Sequence, residues 1–296
     1  MTLAELGEDR LLAKIAPTLP LNRSVVSGAG DDCAIVRVPA SDRVLVLKTD
    51  CVVEGVHFER TAKAIDVGWK AMARPLSDFA AVSAVPQFAL VTLVAPPTVE
   101  VAWLSQLYRG LTKAARRFDV AIVGGETSAT RGPVAISISI AGIAEKNRWI
   151  SRSGGKPGDD LFVTGTLGGS IRGKHLRFIP RLTESLWLTK HFPVHAMMDL
   201  SDGLGADLPR LASASKVGYE IDESAIPRTR GCSVEQAISD GEDYELLFAI
   251  SRRSSDELQM NWAQKFPNLR LTRIGRLNRQ TANSSQQLSR GYVHFQ

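Results

Sequence analysis

Three features are scarce in this sequence: long hydrophobic runs, cysteines and aromatic residues. No stretch reaches the roughly 18 uninterrupted apolar residues of a membrane-spanning helix, and the acidic N-terminal segment does not fit a signal peptide. The three cysteines, Cys33, Cys51 and Cys232, stand far apart and form no CxxC pair. This argues against a disulfide framework and against a structural zinc site. We therefore expect a cytoplasmic protein with no membrane partner.

The dispersed basic residues and the low aromatic content argue against a nucleic-acid-binding protein. Aromatic residues make up 6% of the chain, and the basic residues are dispersed. The 36 Lys and Arg residues exceed the 31 Asp and Glu residues, which gives a formal charge of +5. This mild surplus suits an anionic small substrate as well as nucleic acid, so the charge alone does not decide. The Ser and Cys residues form no nucleophile signature, and covalent catalysis is not indicated.

The composition is that of a globular protein, with 44% apolar and 23% charged residues, and 296 residues suffice for two domains. Helix and strand patterns alternate, which predicts a two-domain fold of the α+β or α/β class. The Gly-, Ser- and Arg-rich residues 148–158 indicate a boundary, so we expect domains at residues 1–147 and 148–296. Strands are expected at residues 34–38, 44–47, 88–94, 120–123, 134–144, 161–164, 197–200, 219–221 and 245–250, helices at 4–15, 66–84, 99–118, 204–216 and 254–265, and a mobile loop at 278–289. Asp66 is expected to cap the second helix, and Pro75 to break or kink it.

The most informative feature is the placement of acidic residues beside Gly or Ser at apparent strand ends and helix starts. For any one segment, turn or capping chemistry is the alternative explanation. Asp199 stands out because its neighbours have a buried pattern, and an unpaired buried carboxylate is costly. The segments are Gly30-Asp31-Asp32, Thr49-Asp50, Ser77-Asp78, Gly124-Gly125-Glu126, Asp199-Leu200-Ser201-Asp202-Gly203 and Gly241-Glu242-Asp243-Tyr244. Oxygen ligands without His or Cys suit Mg²⁺, so the pattern predicts Mg²⁺–nucleotide chemistry.

A conventional phosphate-binding loop is missing. Residues 168–174 resemble the first part of GxxxxGK[ST], but His175 stands where the magnesium-binding hydroxyl is required. The glycine-rich residues 164–170 could still bring backbone N–H groups to a phosphate. The alternative is an ordinary strand–loop–helix corner. His57 follows the Asp50 segment closely and is a candidate functional residue, with an ordinary loop or core histidine as the alternative.

Taken in order, these segments resemble the thiamine-monophosphate kinase family, which belongs to a superfamily with aminoimidazole ribonucleotide synthetase and selenophosphate synthetase. The resemblance covers nearly the whole chain. The matching motifs are GDDCAIV (30–36), KTDCVVEGVHF (48–58), WKAMARPLSDFAAVSAVP (69–86), VGGETS (123–128), SRSGGKPGDDLFVTGTLGGS (151–170), MMDLSDGLGADLPRL (197–211), DGEDYELLF (240–248) and GYVHF (291–295). Each motif is weak alone, and their order and spacing together are specific.

The resemblance implies a fold and a set of roles. An N-terminal α/β domain would contribute strands to a central barrel across a homodimer, and a C-terminal α+β domain would close over the nucleotide. Several Mg²⁺ ions would bind to Asp32, Thr49, Asp50, Asp78, Glu126, Asp199 and Asp202, with Asp50, Asp78 and Asp202 central to catalysis. ATP would be contacted by Gly125, Glu126, Arg152 and Ser201, and the second substrate by His57, Glu242 and Tyr292.

The chain departs from the family pattern at three informative positions. The family usually has Asp where this chain has Glu126, a small residue where it has Lys48, and Asn where it has Pro75. Glu126 keeps the charge but reaches one methylene further. The Lys48 ammonium either replaces part of a metal's charge or points away.

The implied reaction is phosphorylation of thiamine monophosphate by ATP, which gives thiamine diphosphate and ADP by direct, Mg²⁺-assisted in-line transfer. It is the last step of thiamine diphosphate biosynthesis. Two alternatives remain: another ATP-dependent enzyme of the superfamily, or a non-catalytic protein that binds nucleotide or thiamine phosphate. The chain lacks a reactive cysteine in a glycine-rich N-terminal segment, which argues against selenophosphate synthetase. It ends in His294-Phe295-Gln296 without a cysteine tail, which argues against the hydrogenase maturation protein of the same superfamily. Retention of the five aspartates argues against loss of catalysis.

Overall fold

The computed structural model describes residues 2–280 together with Leu288 and Gly291. Within this part of the chain, two β-sheets and eight α-helices follow one another. The first half contains α1 (Leu3–Leu6), α2 (Glu8–Ile15), β1 (Val25–Ser27), β2 (Ala34–Arg37), β3 (Arg43–Val53), α3 (Ala64–Ala81), β4 (Val85–Ala95), α4 (Val101–Arg117), β5 (Ala121–Ala129) and β6 (Ala135–Glu145). The second half contains β7 (Asp159–Thr164), α5 (Leu182–His191), β8 (Val194–Asp199), α6 (Leu204–Ser215), β9 (Gly218–Ile221), α7 (Val234–Ser239), β10 (Leu246–Ser251), α8 (Arg252–Lys265) and β11 (Leu271–Asn278). No helix in these ranges has the length and apolarity needed to cross a membrane.

The first sheet has six strands in the order β1-β2-β3-β6-β4-β5, antiparallel except for the parallel pair β4–β5. Side chains alternate between its faces because a strand has a two-residue period. Along β3, Val44, Val46 and Val52 are buried on the face that also carries Lys48 and Asp50. Helix α3 packs against β3 and β6, and α4 packs against α3. The opposite, outer face carries exposed side chains in the described residues.

The second sheet has five antiparallel strands in the order β8-β10-β7-β11-β9. All six residues of β7 are buried because both faces of the sheet are covered. One face, with Phe162 and Phe248, joins the core of the first sheet through α5 and α8. The other face, with Val163 and Leu247, forms a separate core with α6 and α7. The predicted mixed α and β fold is confirmed.

Helix α3 is the central element, and it corrects two predictions. It runs unbroken from Ala64 to Ala81 with Pro75 inside it, so of the expected break or kink the break is absent. The helix is buried along most of its length, and this packing overrides the local preference of proline. Its N-cap is Lys63, and Asp66 lies in the first turn, where its carboxylate accepts a hydrogen bond from Arg177 at 2.8 Å.

Helices α3 and α4 cross with their backbones in close approach. A Cβ atom built on Gly68 would lie 2.0 Å from the carbonyl oxygen of Leu107, and one built on Gly110 would lie 2.0 Å from that of Ile65. Only glycine fits at either position, because even alanine would overlap the facing backbone.

Three acidic segments lie elsewhere than at the predicted element ends. Thr49 and Asp50 are inside β3, which extends beyond residues 44–47 because β6 pairs with it along its whole length. Glu126 is inside β5, and Asp78 is near the end of α3 rather than at its start. Asp32 before β2 and Asp199 at the end of β8 are where they were expected.

The predicted boundary between residues 147 and 148 falls between β6 and β7, and it stays a prediction because the core of the first sheet continues into the second half. At the N-terminus, Gly7 divides the predicted helix into α1 and α2. The predicted loop at 278–289 lies largely outside the described residues.

Candidate active site

Three carboxylates from distant parts of the chain meet at one point. Asp32 precedes β2, Asp78 is on α3 and Asp199 ends β8, and each offers an oxygen within 4.8 Å of the others. All three side chains are buried. Burial raises the pKa of Asp78 well above its usual range, and burial together with the charge of Asp32 raises the pKa of Asp199 to about 6. Such a cluster needs positive charge to remain ionised.

Two cationic side chains supply part of that charge. The ammonium of Lys48 lies 2.7 Å from Oδ1 of Asp78, and Nη2 of Arg152 lies 2.6 Å from Oδ1 of Asp32. Ser77 donates a hydrogen bond of 2.6 Å to Asp199. The other oxygen of Asp32, Oδ2, is buried and has no hydrogen-bond partner among the described residues. Asp32, Asp78 and Asp199 therefore fit Mg²⁺, since they offer hard oxygen ligands and one of these oxygens is left without a donor.

Three of the other predicted metal ligands lie on the two faces of the first sheet. Asp50 lies on the buried face, where its carboxylate is 3.3 Å from Nε of Arg74. Thr49 lies on the outer face and shares hydrogen bonds with Ser137 and Ser139 of β6. Glu126 is exposed on β5 and accepts a hydrogen bond from the backbone N–H of Thr127. These three residues are not members of the buried carboxylate cluster.

A cavity of about 270 Å³ collects four of the residues assigned to substrate, nucleotide and metal. They are His57, Ser201, Asp202 and Glu242. The remaining lining residues are Val56, Arg74, Ile171, Asp240, Gly241 and Tyr244. Two stretches of chain link the cavity lining to the carboxylate cluster: Arg74 is one turn before Asp78 on α3, and Ser201 follows Asp199 by two residues.

Glu242 is fixed in this cavity by a set of buried partners. The Nζ atom of Lys70, which is 0% exposed, lies 2.7 Å from both carboxylate oxygens of Glu242. The Nδ1 atom of His175 lies 2.8 Å from the same carboxylate. Burial alone would raise the pKa of Glu242, but the hydrogen bond from His175 and the charge of Lys70 lower it to about 2. Glu242 therefore presents a permanent negative charge at neutral pH.

His57 is neutral in this setting. Burial and the nearby charge of Arg74 lower the pKa of His57 to about 4. Its Nδ1 atom accepts a hydrogen bond of 3.1 Å from the backbone N–H of Val53. Because Nδ1 accepts a hydrogen bond, the single proton of the neutral imidazole is on Nε2. The Nε2–H group is therefore the hydrogen-bond donor of the His57 side chain.

The backbone around Glu242 is strained. Glu242 and Tyr244 have φ angles of 53° and 52°, a region that non-glycine residues seldom adopt. The segment is held by hydrogen bonds from the N–H of Glu242 to the carbonyl of Ser201 and from the N–H of Tyr244 to the carbonyl of Leu200. Strain of this kind concentrates at functional sites, where the surrounding structure enforces it.

The remaining predicted residues have varied surroundings. The Asp202 carboxylate accepts a hydrogen bond from Arg210, which also contacts Asp207. A Cβ atom on Gly125 would lie 1.8 Å from the carbonyl oxygen of Val91. The close pairing of β5 with β4 is therefore sufficient to require glycine at this position, whether or not it contacts a nucleotide. Tyr292 lies outside the described residues.

The glycine-rich segment at residues 164–170 favours the structural alternative. The N–H of Gly168 donates to the carboxylate of Asp243 at 3.0 Å, and the N–H of Gly169 donates to Asp240 at 2.8 Å. These two amides are therefore occupied by carboxylates of the protein and are not available to a phosphate.

Sequence reasoning missed Lys70, Arg74, His175 and Tyr244. One signal was present for the first two, because Lys70, Arg74 and Asp78 recur at four-residue spacing in a largely apolar segment. That spacing puts all three charges on one face of α3, where a buried helix needs partners for them. His175 and Tyr244 gave no comparable signal.

The comparisons with known proteins agree with this geometry. Residues 30–144 match the family model of the AIR synthase related protein, N-terminal domain, and residues 174–285 match that of the C-terminal domain. The chain is therefore an AIR synthase related protein, since the two matches together cover most of its length. The thiamine-monophosphate kinase of Rhodopirellula baltica is 37% identical over 271 residues, which are 86% of this chain and 84% of that protein. The thiamine-monophosphate kinase of Escherichia coli (strain K12) is 35% identical over 82% of each chain.

A solved structure described as "AaThiL complexed with AMPPCP and TMP" has a TM-score of 0.84, 31% identity and 99% coverage of both chains. The structural similarity and the sequence identities therefore both extend over most of the chain. The chain belongs to the thiamine-monophosphate kinase family.

Proposed function

We propose that this protein is an ATP-dependent phosphotransferase that converts thiamine monophosphate to thiamine diphosphate, with release of ADP. The observation that carries the proposal is the cavity lined by His57, Ser201, Asp202 and Glu242, together with the buried carboxylate cluster whose Asp199 lies two residues before Ser201. A relative with the same fold was solved with AMPPCP and TMP. The proposal puts the substrate ring in the cavity and the phosphates over the carboxylates.

Magnesium is part of the proposal. Asp32, Asp78 and Asp199 would hold it most directly, because their oxygens already converge and one oxygen of Asp32 has no hydrogen-bond partner in the described part of the chain. Bound Mg²⁺ would neutralise the phosphates and align the in-line transfer. The roles assigned to Thr49, Asp50, Glu126 and Asp202 as further ligands remain predictions.

The chain's own residues have to bring two anions together. Like charges about 4 Å apart repel by about 4 kcal/mol per unit pair at an effective dielectric of 20. Arg152, fixed on Asp32, would add positive charge near the phosphates. No general base is required, because a phosphate monoester has a second pKa of about 6 and is already largely ionised at neutral pH.

Substrate recognition is assigned to the fixed polar groups of the cavity. The substrate carries a cationic thiazolium ring and an amino group, and the ionised Glu242 is suited to both. His57 would contribute the N–H of Nε2. We expect both residues to affect KM for thiamine monophosphate more than the requirement for Mg²⁺.

A homodimer and a cytoplasmic location are also part of the proposal. The outer face of the first sheet exposes Leu47, Phe88, Leu90 and Val123 to 38%, 50%, 48% and 59%. A second copy of the chain would cover these apolar side chains, and the first sheets of the two protomers would together form a barrel. Light scattering after gel filtration tests this, and Leu90→Asp should shift the protein to a monomer. The location is inferred from the cysteines, which are free in the described structure.

Product analysis tests the proposed reaction. The purified protein would be incubated with ATP, Mg²⁺ and thiamine monophosphate, and the products separated by chromatography, with a control without magnesium. Equal amounts of thiamine diphosphate and ADP, formed only with Mg²⁺, are the expected result. Binding of ATP without any product would instead support the non-catalytic alternative, and ATP consumption without thiamine diphosphate would support another enzyme of the superfamily.

A further inference from the structure

One cation is already built into the carboxylate cluster. Lys48 lies on the buried face of β3, two residues from Asp50 and on the same side of the strand. Its ammonium is 2.7 Å from Oδ1 of Asp78, and the two side chains are only 23% and 10% exposed. The neighbouring strand β6 pairs with β3 at this point, which fixes the direction of the side chain. Lys48 therefore points into the cluster and not away from it.

The cluster is asymmetric as a result. Asp78 has one oxygen paired with an ammonium, and Asp199 has one oxygen bonded to the hydroxyl of Ser77. Asp32 has one oxygen paired with Arg152, and its Oδ2 is buried without a partner in the described part of the chain. The unpartnered oxygen of Asp32 is thus the one most open to a divalent ion, whereas Oδ1 of Asp78 already holds a cation. An ammonium and a divalent ion on the same oxygen of Asp78 would repel each other strongly.

We propose that the Lys48 ammonium is a resident cation of this site. It holds the position at Asp78 that a divalent ion would otherwise take, so the protein binds one divalent ion fewer than a variant with a small neutral residue at position 48. The inference rests on the proposed function, since it concerns the metal ions of that site. Lys48 is a positioning residue that stabilises the charge of Asp78.

A second consequence concerns the protein without metal. In the wild type, Lys48 and Arg152 offset two of the three buried negative charges in the absence of any divalent ion. Removal of the ammonium leaves Asp78 buried beside Asp32 and Asp199 without the cation that contacts it. The metal-free protein then becomes less stable, and added Mg²⁺ restores the loss.

The test compares the wild type with Lys48→Ser, Lys48→Met and Lys48→Arg. The number of Mn²⁺ ions bound per chain is measured by equilibrium dialysis and electron paramagnetic resonance with saturating AMPPCP. Melting temperatures are recorded in EDTA and in Mg²⁺, and circular dichroism checks the fold. Lys48→Ser and Lys48→Met should each bind one more Mn²⁺ than the wild type and gain more in melting temperature from Mg²⁺. Lys48→Arg, which keeps the charge, should behave like the wild type.

The possible outcomes separate this inference from the proposed function. Equal Mn²⁺ numbers in all four proteins, with Mg²⁺-dependent formation of thiamine diphosphate by the wild type, would overturn the inference alone. An extra ion in Lys48→Ser but not in Lys48→Met would also overturn it, because the new serine hydroxyl would then be the cause. Absence of bound Mn²⁺ in every variant would overturn both the inference and the metal-assisted reaction.

Discussion

Replacement of Lys70 by methionine tests whether the buried ion pair fixes Glu242. Lys70 is 0% exposed and Glu242 is 23% exposed, and the ammonium reaches both carboxylate oxygens at 2.7 Å. It also donates to the carbonyl of His57 at 2.6 Å, so the same ammonium links two lining residues of the cavity. Methionine has a similar length, which keeps the packing and removes the charge.

The magnitude follows from the burial of the pair. Removal of one partner of a buried ion pair costs about 3–5 kcal/mol. Glu242 keeps His175 and some solvent contact, so we expect the lower end, about 3 kcal/mol, for the loss of unfolding free energy in Lys70→Met. The double variant Lys70→Met with Glu242→Gln removes both charges and should lose no more than about 1 kcal/mol. The coupling energy is then about 2 kcal/mol or more.

Urea unfolding of the wild type, the two single variants and the double variant measures this cycle. Kinetics with thiamine monophosphate complete the test. Lys70→Met should raise KM at least about tenfold, which corresponds to 1.4 kcal/mol, with a smaller change in kcat. Additive stability losses, or a KM unchanged in Lys70→Met, would refute the idea that this ion pair holds Glu242 for the substrate.

Four further predictions follow from other features of the structure. Burial lowers the pKa of Lys70 to about 8. Between about pH 8 and 10 the unfolded chain therefore holds a proton on Lys70 that the folded protein has released. The free energy of unfolding of the wild type, measured in urea, should rise over that range relative to that of Lys70→Met. Asp78→Asn should lower turnover at least ~100-fold with an unchanged circular dichroism spectrum, because it alters the proposed metal ligands, and full activity would contradict their role. Glu126→Asp should keep or raise the rate of ADP release if Glu126 is a metal ligand, whereas a folded but inactive variant would mean that the site depends on the longer side chain. Gly68→Ala should lower the unfolding free energy by about 2 kcal/mol or more, because its Cβ would lie 2.0 Å from the Leu107 carbonyl oxygen, and an unchanged melting temperature would contradict the close helix crossing.

Much of the fold was predictable because local patterns and the final structure agree. The apolar runs that predict strands at 88–94, 134–144 and 245–250 match β4, β6 and β10 to within one residue at the start of the latter two. Most of their apolar side chains are buried, as the hydrophobic pattern predicts. The acidic segments were visible for a related reason. Asp199 sits beside buried apolar residues, and such a carboxylate is retained only where a partner offsets its charge.

The predictions failed where tertiary contacts outweigh local preference. Pro75 is expected to interrupt a helix, but the packing around α3 stabilises the helix through it. The strand predicted at 44–47 stops too early, because Lys48 and Asp50 are charged at positions that the two-residue period assigns to the buried face. Charged residues on a buried face are stable only with partners that the local sequence does not contain.

The sequence alone indicated the acidic segments from which the site is predicted, because acidic residues beside glycine and serine recur along the chain in a recognisable order. The tertiary structure alone decided which of them meet. Ser77, the neighbour of Asp78, bonds to Asp199 across 122 residues of chain, and Lys70 and Glu242 form an ion pair across 172. Contacts over such separations leave no periodicity in the sequence. They are set by the packing of α3 between the two sheets, since a buried charge is stable only where that packing brings its partner within hydrogen-bonding distance.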